Sequence, residues 1–396
     1  DLDIIKCGSY TGAGTVDLGF EPQWVLYKRT ESTGPWYLQD TMRGLAVDGS
    51  NQAFIYPDSS SAESVGTGDL ITPTSTGFNH INAGDYIYIA IRRGTKVPES
   101  GTEVFAMDLL GSTSPSPPNY NSNGWPVDTG LQVSRVSGSN VITSRLTQGK
   151  YLVTDATSGE ATSAIWQFDF QNGWRNSSAV STDYLSYMWK RAPNYFDVVA
   201  YTANQTSGLQ INHNLGVVPE MMWVKSRNAT TPWAVYHKDI GNTKSLRLND
   251  TNAAATENFW NGTTPTADTF TLGANSEVNY PSGRLYIAYL FASLAGISKV
   301  GSYTGDGTTD GSKVIDCGFT SGARFVLIKD ADNTGNWNLF DTTRGIAVGN
   351  SKLLRLNNTS AEVSGVDWVE PDNSGFIVRA SAVNTSGTSY IFYAIA

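Results

Sequence analysis

The feature of this sequence that most constrains its fold is internal repetition, with a period of roughly 100 residues. A short apolar segment that ends in lysine occurs three times, as Trp24–Lys28, Met221–Lys225 and Phe325–Lys329. Eight residues after each lysine stands a tryptophan, and sixteen residues after it stands a glycine: Trp36, Trp233, Trp337, Gly44, Gly241 and Gly345. Equal spacing of several anchors predicts that copies of one structural module follow each other along the chain.

The ends of the repeats set the predicted domain boundaries. Three copies close with aromatic and small residues, at Tyr86–Ile91, Leu285–Leu290 and Tyr390–Ile395. The remaining stretch has a similar length and ends in Tyr184–Trp189, so it is interpreted as a diverged copy with a proline-rich loop at Ser112–Pro118. The four predicted units are residues 1–94, 95–195, 196–294 and 295–396.

Short strands dominate the pattern within each unit. Each unit offers about seven candidate strands separated by turns that contain Gly, Asn or Asp, whereas helical periodicity is nearly absent. A single sheet of such strands would leave one apolar face in water, so two packed sheets are expected. The predicted fold class is all-β, with tandem antiparallel β-sandwich units of jelly-roll or lectin-like type. Propeller blades are the alternative, but four strands per blade leave about three strands of each unit unexplained.

Composition argues against several classes of function. Charged residues make up 16% of the chain and its net charge is -9, without a run of Lys or Arg that could follow a phosphate backbone, so no nucleic-acid partner is expected. The longest nearly apolar segment, Leu285–Ile297, is too short for a membrane helix, so no membrane insertion is expected. Cys7 and Cys317 are too few for a disulfide framework and are expected as two free, packed thiols.

Residues suited to catalysis are scarce. Only His80, His213 and His237 could serve as imidazole bases, and none lies in a recognisable nucleophile or zinc motif. No catalytic residue, metal site or cofactor is therefore expected, and the chain is predicted not to be an enzyme.

A recurring pair of an acid and an arginine is interpreted as structural. Asp40 with Arg43, and Asp341 with Arg344, stand at equal spacing before the repeated glycine, and His237 replaces the aspartate in the third unit. Such an arginine can bond both the carboxylate and the backbone. A turn clamp is therefore predicted at these positions in preference to a ligand site.

Residues suited to binding carbohydrate lie in a segment that varies between the repeats. Trp260 and Trp368 stand in this segment of the third and fourth units, and both are expected to reach the surface. Asp367, Glu370 and Asp372 flank Trp368, and carboxylates beside an aromatic side chain can orient a hydroxyl-rich glycan. These five residues form the candidate carbohydrate-binding site. The alternative is a loop pinned to its own domain.

Four phrases of the sequence resemble a repeat domain of tailed bacteriophages, including marine ones: Phe196–Thr202, His213–Glu220, Ala288–Ser293 and Gly296–Gly305. The resemblance covers all four units, the second only weakly. Repeats of that family occur in tail fibres and other virion appendages and are similar to concanavalin A-like or laminin G sandwiches. The resemblance implies an extracellular location in a virion and contact with a host surface, and it supplies no catalytic residues.

Together these features predict a structural component of a bacteriophage virion, in a tail fibre or another appendage, that contributes to attachment to host-surface glycans. The expected partners are other virion proteins and further copies of the chain, with a trimer favoured, because such appendages are symmetric homo-oligomers. A secreted or cell-surface adhesin or filament subunit is the alternative. An appendage enzyme that degrades polysaccharide, with paired carboxylates, is the third candidate.

Overall fold

The computed structural model describes residues 4–47, 52–66, 70–110, 117–178 and 181–396. Strands make up 44% of the chain and helices 3%, and the strands form several antiparallel sheets, so the predicted all-β, sandwich-type fold class is confirmed. The predicted proline-rich loop Ser112–Pro118 lies outside the described residues, except for Pro117 and Pro118.

The first unit contains two main sheets. Its strands are β1 (Ile5–Thr11), β2 (Gly14–Asp17), β3 (Pro22–Arg29), β4 (Trp36–Asp40), β5 (Gln52–Phe54), β6 (Ser64–Gly66), β7 (Ile71–Thr74), β8 (Gly77–His80) and β9 (Asp85–Arg92). The larger sheet has the strand order β1-β9-β3-β4, and a bridge between Leu38 and Ile55 continues it toward the β5-β6 pair. The smaller sheet has the order β2-β8-β7.

The second unit has a six-stranded and a three-stranded sheet. Its strands are β10 (Phe105–Leu109), β11 (Tyr120–Asn121), β12 (Thr129–Ser134), β13 (Val141–Ser144), β14 (Lys150–Val153), β15 (Ala161–Thr162), β16 (Trp166–Gln167), β17 (Gly173–Asn176) and β18 (Tyr184–Trp189). The sheet orders are β10-β18-β12-β13-β14-β15 and β11-β17-β16. Two 3-10 turns, Gly101–Glu103 and Arg145–Thr147, also belong to this unit.

The third unit repeats this plan with a six-stranded and a two-stranded sheet. Its strands are β19 (Phe196–Thr202), β20 (Leu209–Asn212), β21 (Met221–Ser226), β22 (Ala234–His237), β23 (Lys244–Arg247), β24 (Ala255–Thr256), β25 (Thr269–Leu272) and β26 (Leu285–Phe291). The sheet orders are β19-β26-β21-β22-β23-β24 and β20-β25.

The fourth unit again pairs a six-stranded with a three-stranded sheet. Its elements are β27 (Ser298–Thr304), β28 (Val314–Asp316), β29 (Phe325–Asp330), β30 (Asn338–Asp341), β31 (Ser351–Arg355), β32 (Val363–Val366), β33 (Val369–Asp372), β34 (Gly375–Val378), the short helix α1 (Ser381–Asn384) and β35 (Ser389–Ile395). The sheet orders are β27-β35-β29-β30-β31-β32 and β28-β34-β33. Across the part of the chain that the structure describes, none of the helices has the length and apolar character needed to cross a membrane.

The larger sheets share one strand order, in which the first strand of a unit pairs with its last strand and the last strand pairs with the repeated apolar segment. The repeated segment lies in β3, β21 and β29. Its first residue pairs with Asp40 in unit 1, with His237 in unit 3 and with Asp341 in unit 4. The same place in unit 2 is held by Ser144, opposite the first residue of β12. The matched residues therefore occupy equivalent positions, and Asn140 of unit 2 stands where the other units have the repeated tryptophan.

Each unit has its own core between its larger and smaller sheets. The repeated phenylalanine of the second half, Phe78, Phe270 or Phe376, is completely buried in the core of its unit. Trp174 takes the equivalent place in β17 of unit 2. Burial of one large aromatic side chain between two sheets stabilises a sandwich by several kcal/mol, about 3 to 5 when judged by truncation to alanine.

Units 2, 3 and 4 also bury the opposite faces of their six-stranded sheets in one common apolar interior. Aromatic contacts join each combination of two units, for example with these distances between ring centroids: Phe291–Tyr393 5.0 Å, Phe105–Phe325 5.4 Å and Trp189–Phe196 6.1 Å. We call units 2, 3 and 4 the three-unit assembly and the shared interior its central core.

The two cysteines are free thiols in different environments. Cys317 is buried in the core of unit 4, where burial raises the pKa of its thiol to about 12. Cys7 is exposed on β1, so the expectation that both thiols are packed is wrong for Cys7.

Candidate functional site

The junctions between the units of the three-unit assembly form the most elaborate set of polar contacts in the described chain. At the first contact, the indole N–H of Trp233 donates to the carbonyl of Val153, and that of Trp337 donates to the carbonyl of Arg247, both at 2.9 Å. Asn140 completes the set, because its side-chain amide donates to the carbonyl of Arg355 at 3.0 Å. Unit 3 thus contacts unit 2, unit 4 contacts unit 3, and unit 2 contacts unit 4.

Two further sets of backbone hydrogen bonds follow the same cycle. The first set is Glu160 N–H to Arg227 carbonyl (2.6 Å), Ala254 N–H to Ala331 carbonyl (2.8 Å) and Glu362 N–H to Arg135 carbonyl (2.9 Å). The second set is Thr231 N–H to Thr157 carbonyl (2.9 Å), Gly335 N–H to Thr251 carbonyl (2.8 Å) and Gly138 N–H to Thr359 carbonyl (3.1 Å). Because three equivalent junctions close on themselves, the units are arranged with approximate three-fold symmetry.

The repeated lysine contributes to two of these junctions. The amines of Lys225 and Lys329 donate to the carbonyls of Thr157 and Thr251 in the neighbouring unit, at 3.0 and 3.4 Å. Both lysines are completely buried, and burial lowers the pKa of each amine to about 8. Unit 2 has Val133 at this position, which packs into the central core. In units 3 and 4 the repeated lysine therefore stabilises the contact with the neighbouring unit.

Ion pairs distinguish the junctions from one another. Arg227 binds Glu160 at 2.8 Å between units 3 and 2, and Arg135 binds Glu362 at 3.2 Å between units 2 and 4. At the third junction, between units 3 and 4, the equivalent positions are held by Ala254 and Ala331, which cannot form an ion pair. Burial alone would raise the pKa of Glu362, but its hydrogen bond from Arg135 and the nearby positive charges hold that pKa below its usual range.

The predicted turn clamps have the expected geometry. The backbone N–H of Arg344 donates to the Asp341 carboxylate at 2.8 Å, and the Arg344 guanidinium bonds both that carboxylate and the carbonyl of Leu339. The hydroxyl of Tyr187 in unit 2 donates to the same carboxylate at 2.6 Å, so this clamp also joins two units. In unit 1, the backbone N–H and the guanidinium of Arg43 likewise bond the Asp40 carboxylate.

A buried cluster of charges attaches unit 1 to the three-unit assembly. Arg191 donates two hydrogen bonds of 2.6 Å to the Glu21 carboxylate and one of 2.7 Å to Asp197. Arg93 adds a contact of 3.2 Å to Asp197. Burial by itself raises the pKa of Asp197, but the charges of the two arginines bring it below the usual range. A charge cluster of this kind holds its partners in one geometry, because either carboxylate alone would be costly to bury.

Trp368 and the carboxylates of the candidate carbohydrate site lie in one region of unit 4, where they are engaged internally. Trp368 is half-buried and packs against the unit 4 core, 6.5 Å from the Phe340 ring. Arg379 binds both Asp367, at 3.3 Å, and Glu370, at 2.8 Å. Asp372 accepts hydrogen bonds from the backbone and hydroxyl of Ser374 in the turn between β33 and β34. This geometry is that of a loop fixed to its own domain.

Trp260 is not at the surface, so the expectation for this residue is wrong. Its side chain is completely buried in the core of unit 3, its indole N–H donates to the carbonyl of Lys244 at 3.1 Å, and its ring lies 5.5 Å from Tyr236. Sequence variation between the units favours an exposed loop. Transfer of this large aromatic side chain from water into the apolar core is nevertheless favourable in free energy.

The histidines are also used within the fold. His80 lies 3.0 Å from the hydroxyl of Tyr10, and His213 lies 3.2 Å from the carbonyl of Thr266. His237 is completely buried, and burial lowers its pKa to about 4. In the ranges that the structure describes, no cluster of three His, Cys, Asp or Glu side chains could hold a metal ion.

One open groove offers charged groups to solvent. It lies along β27 and β28 in unit 4, has a volume of about 390 Å³, and is lined by Lys238, Lys299, Lys313, Asp239 and Asp316 among other residues. Both strands lie at the edges of their sheets, so backbone groups accompany the charges. The arrangement can bind a polar or anionic polymer. Sequence reasoning missed this groove because its lysines come from two units that are distant along the chain from each other's strands.

The sequence of this chain matches the model of a known protein family. The family described as "Domain of unknown function (DUF7483)" matches residues 4–92 and 173–396, which is more than half of the chain. The segment outside the match is most of unit 2, the diverged copy. A comparison with curated proteins gives no match.

Proposed function

The chain belongs to the DUF7483 family, and we propose that it is a non-enzymatic, architectural component of a bacteriophage virion, in a tail fibre or another appendage. The observation that carries the architectural part is the closed cycle of junctions in the three-unit assembly. Nine equivalent hydrogen bonds, three at each junction, fix three sandwiches around one core. Such a body is suited to transmitting force without a change of shape, because each unit is held by both of its neighbours.

The use of the ionisable groups supports a structural task. Arg191, Lys225, Lys329 and Arg344 are buried, and each bonds a carboxylate or a carbonyl across or beside a junction. An enzyme of this size would be expected to keep perturbed groups in a cleft where substrate can reach them. Here these four groups lie at or beside the contacts between units instead.

The virion location is supported by the resemblance of the repeated phrases, such as Phe196–Thr202 and Gly296–Gly305, to repeats of tail fibres and virion appendages. Three β-sandwiches around a shared core are compatible with that setting. The location is tested by purifying particles of the tailed phage whose genome encodes the chain, and by identifying their proteins by mass spectrometry. Immunogold electron microscopy with antibodies against the chain would then give its position. Absence of the chain from intact particles that contain every known tail protein would refute the location.

A contribution to host attachment is the second part of the proposal, and the unit 4 groove favours it. Lys238, Lys299 and Lys313 line an open groove of about 390 Å³, where their positive charges can attract an anionic surface polysaccharide. Lys238 and Lys313 also form ion pairs within the chain, with Glu220 at 2.8 Å and Asp306 at 3.9 Å. A glycan array with the whole chain tests this. We expect binding to acidic glycans that is lost in a Lys299→Ala, Lys313→Ala double variant and retained in Lys150→Ala, a lysine of unit 2. Equal binding by all three proteins would refute the role of the groove.

A further inference from the structure

The larger sheet of unit 1 has an apolar outer face. In units 2, 3 and 4 the equivalent face is buried in the central core, whereas no described part of the chain buries the face of unit 1 in this way. Its outward side chains come from four neighbouring strands, with the register that the pairing defines: Ile5, Cys7, Trp24, Leu26, Trp36, Leu38, Ile87, Ile89 and Ile91. We call this surface the unit 1 face. Ile5, Ile87 and Ile89 are 61%, 41% and 37% exposed, and the tryptophans and leucines are half-buried.

The unit 1 face is equivalent, residue by residue, to the faces that form the central core. Ile89 stands in the register position of Tyr187, Tyr289 and Tyr393, each of which is at most 1% exposed. Ile87 stands in the position of Leu185, Ile287 and Ile391, which are at most 2% exposed. The same fold position is thus buried three times in the assembly and exposed once.

The sequence of unit 1 also matches strands that are buried on both faces. Segments Trp24–Tyr27 and Tyr86–Ile91 are uninterrupted apolar runs, as are Met221–Val224 and Phe325–Ile328 of the assembly. A strand with one face in water normally alternates apolar and polar residues. The outward residues of unit 1 therefore have the composition of an interior surface.

Unit 1 retains the polar groups that close the junctions of the assembly. Trp36 stands where Trp233 and Trp337 donate, and Lys28 stands where the buried lysines donate. The pairing of Ile55 with Leu38 places the carbonyl of Tyr56 where the assembly has its acceptors. Donor and acceptor lie on one unit, and in the assembly each such donor reaches the acceptor of a neighbour.

From this equivalence we propose that the unit 1 faces of three copies of the chain associate about a three-fold axis, in the arrangement that units 2, 3 and 4 adopt within one chain. The occupant of each face is the same face of two further copies. Three copies are required because the junction geometry in the assembly closes after three units, and a pair would leave one donor and one acceptor at each end unused. This inference holds whether or not the chain belongs to a virion.

The mass of the whole chain in solution tests the proposal. Sedimentation equilibrium or native mass spectrometry is expected to give three times the 42.7 kDa of one chain. Ile89→Lys places a charge in the middle of the face and is expected to reduce the mass threefold. Ile81→Lys is the matched control, because Ile81 is 70% exposed in the turn after β8 and lies off the face, and this variant should remain trimeric.

The reactivity of Cys7 gives a second, independent measurement. Cys7 is exposed on the unit 1 face, whereas Val198 and Val300 at the equivalent positions are completely buried in the assembly. Maleimide should therefore label Cys7 slowly in the trimer and at least tenfold faster in Ile89→Lys, while Cys317 stays protected in both. Circular dichroism verifies that the variants are folded.

Several outcomes would overturn the proposal. These are a monomeric or dimeric wild-type chain, a trimer that survives Ile89→Lys, or equal dissociation of the Ile81→Lys control. Rapid labelling of Cys7 in the wild-type trimer would show that association uses a different surface and would also overturn it.

Discussion

Trp337 offers the sharpest test of the shared architecture, because one side chain contributes to the central core and to a junction. It is 1% exposed, and its indole N–H donates to the carbonyl of Arg247 in the neighbouring unit at 2.9 Å. Truncation of a buried tryptophan to alanine costs about 3 to 5 kcal/mol through lost transfer energy and an unfilled cavity. The stranded carbonyl costs about 1 kcal/mol more. Trp337→Ala is therefore expected to lower the free energy of unfolding by about 4 to 6 kcal/mol.

The matched variant Trp337→Phe separates packing from hydrogen bonding. Phenylalanine keeps most of the aromatic volume but has no N–H donor, so a loss of about 1 to 2 kcal/mol is expected. Guanidinium unfolding monitored by far-UV circular dichroism measures both values, since removing a tryptophan does not bias that signal as it would bias fluorescence. A loss below about 1 kcal/mol for Trp337→Ala would refute the assignment of this side chain to the central core.

The site of the damage is a further part of this prediction. Because the acceptor belongs to unit 3, Trp337→Ala should speed amide hydrogen exchange in β23 and β24 although the substitution lies in unit 4. Faster exchange confined to unit 4 would contradict a junction role. Units 2, 3 and 4 should also unfold in one transition, since none can leave the central core without exposing the other two.

Three further predictions concern the charged groups and the candidate carbohydrate site. Arg191→Met should leave two buried carboxylates without their guanidinium, loosen unit 1 by about 3 to 5 kcal/mol, and make the connection to unit 2 sensitive to limited proteolysis. The pKa of Lys225 and of Lys329 is about 8 in the folded chain, below the unfolded value of 10.5, so the unfolded chain binds more protons between these values and stability gains from these lysines as pH rises from 8 toward 10. Urea unfolding at pH 8 and at pH 10 measures this gain in the free energy of unfolding, which should be smaller in a Lys225→Met, Lys329→Met variant than in the wild type. Trp368→Ala should lower the melting temperature, by an amount that corresponds to about 1 to 3 kcal/mol, because the side chain is half-buried on the unit 4 core.

Each of these predictions has a result that contradicts it. Unchanged proteolysis of Arg191→Met would mean that the charge cluster does not hold unit 1 in place. A pH profile of the double lysine variant parallel to that of the wild type would assign the dependence to other groups. Reduced adsorption to host cells by Trp368→Ala at an unchanged melting temperature would favour the carbohydrate site over the structural role.

The sequence alone predicts the fold class and the register of equivalent residues, because both depend on local patterns. The apolar segment that ends in Lys225 or Lys329 lies in one strand, and the tryptophan eight residues later directly precedes the strand that pairs with it, β22 or β30. Turn clamps follow from the spacing of Asp341 and Arg344 for the same reason. These contacts lie within one unit, so the repeat itself defines them.

The partners of each unit could not be predicted, because they depend on contacts between distant parts of the chain. Uninterrupted apolar strands indicate burial on both faces but do not identify the covering surface. Asn140 has no sequence similarity to the tryptophan that it replaces, although it donates to the equivalent carbonyl. The burial of Trp260 could not be predicted either, because variation between the repeats favours an exposed loop, whereas the core of unit 3 accommodates the ring.

Differences among the junctions explain how similar units find their correct neighbours. The backbone hydrogen bonds are the same at all three junctions and cannot distinguish them. The side chains can, since an arginine–glutamate pair forms at two junctions and alanines occupy the third. Placing either glutamate against an alanine position would bury its charge unpaired, which disfavours exchanged neighbours. Among the described residues unit 1 has no such junction partner, and this is why we propose that copies of the same unit provide the surface that its sequence fits.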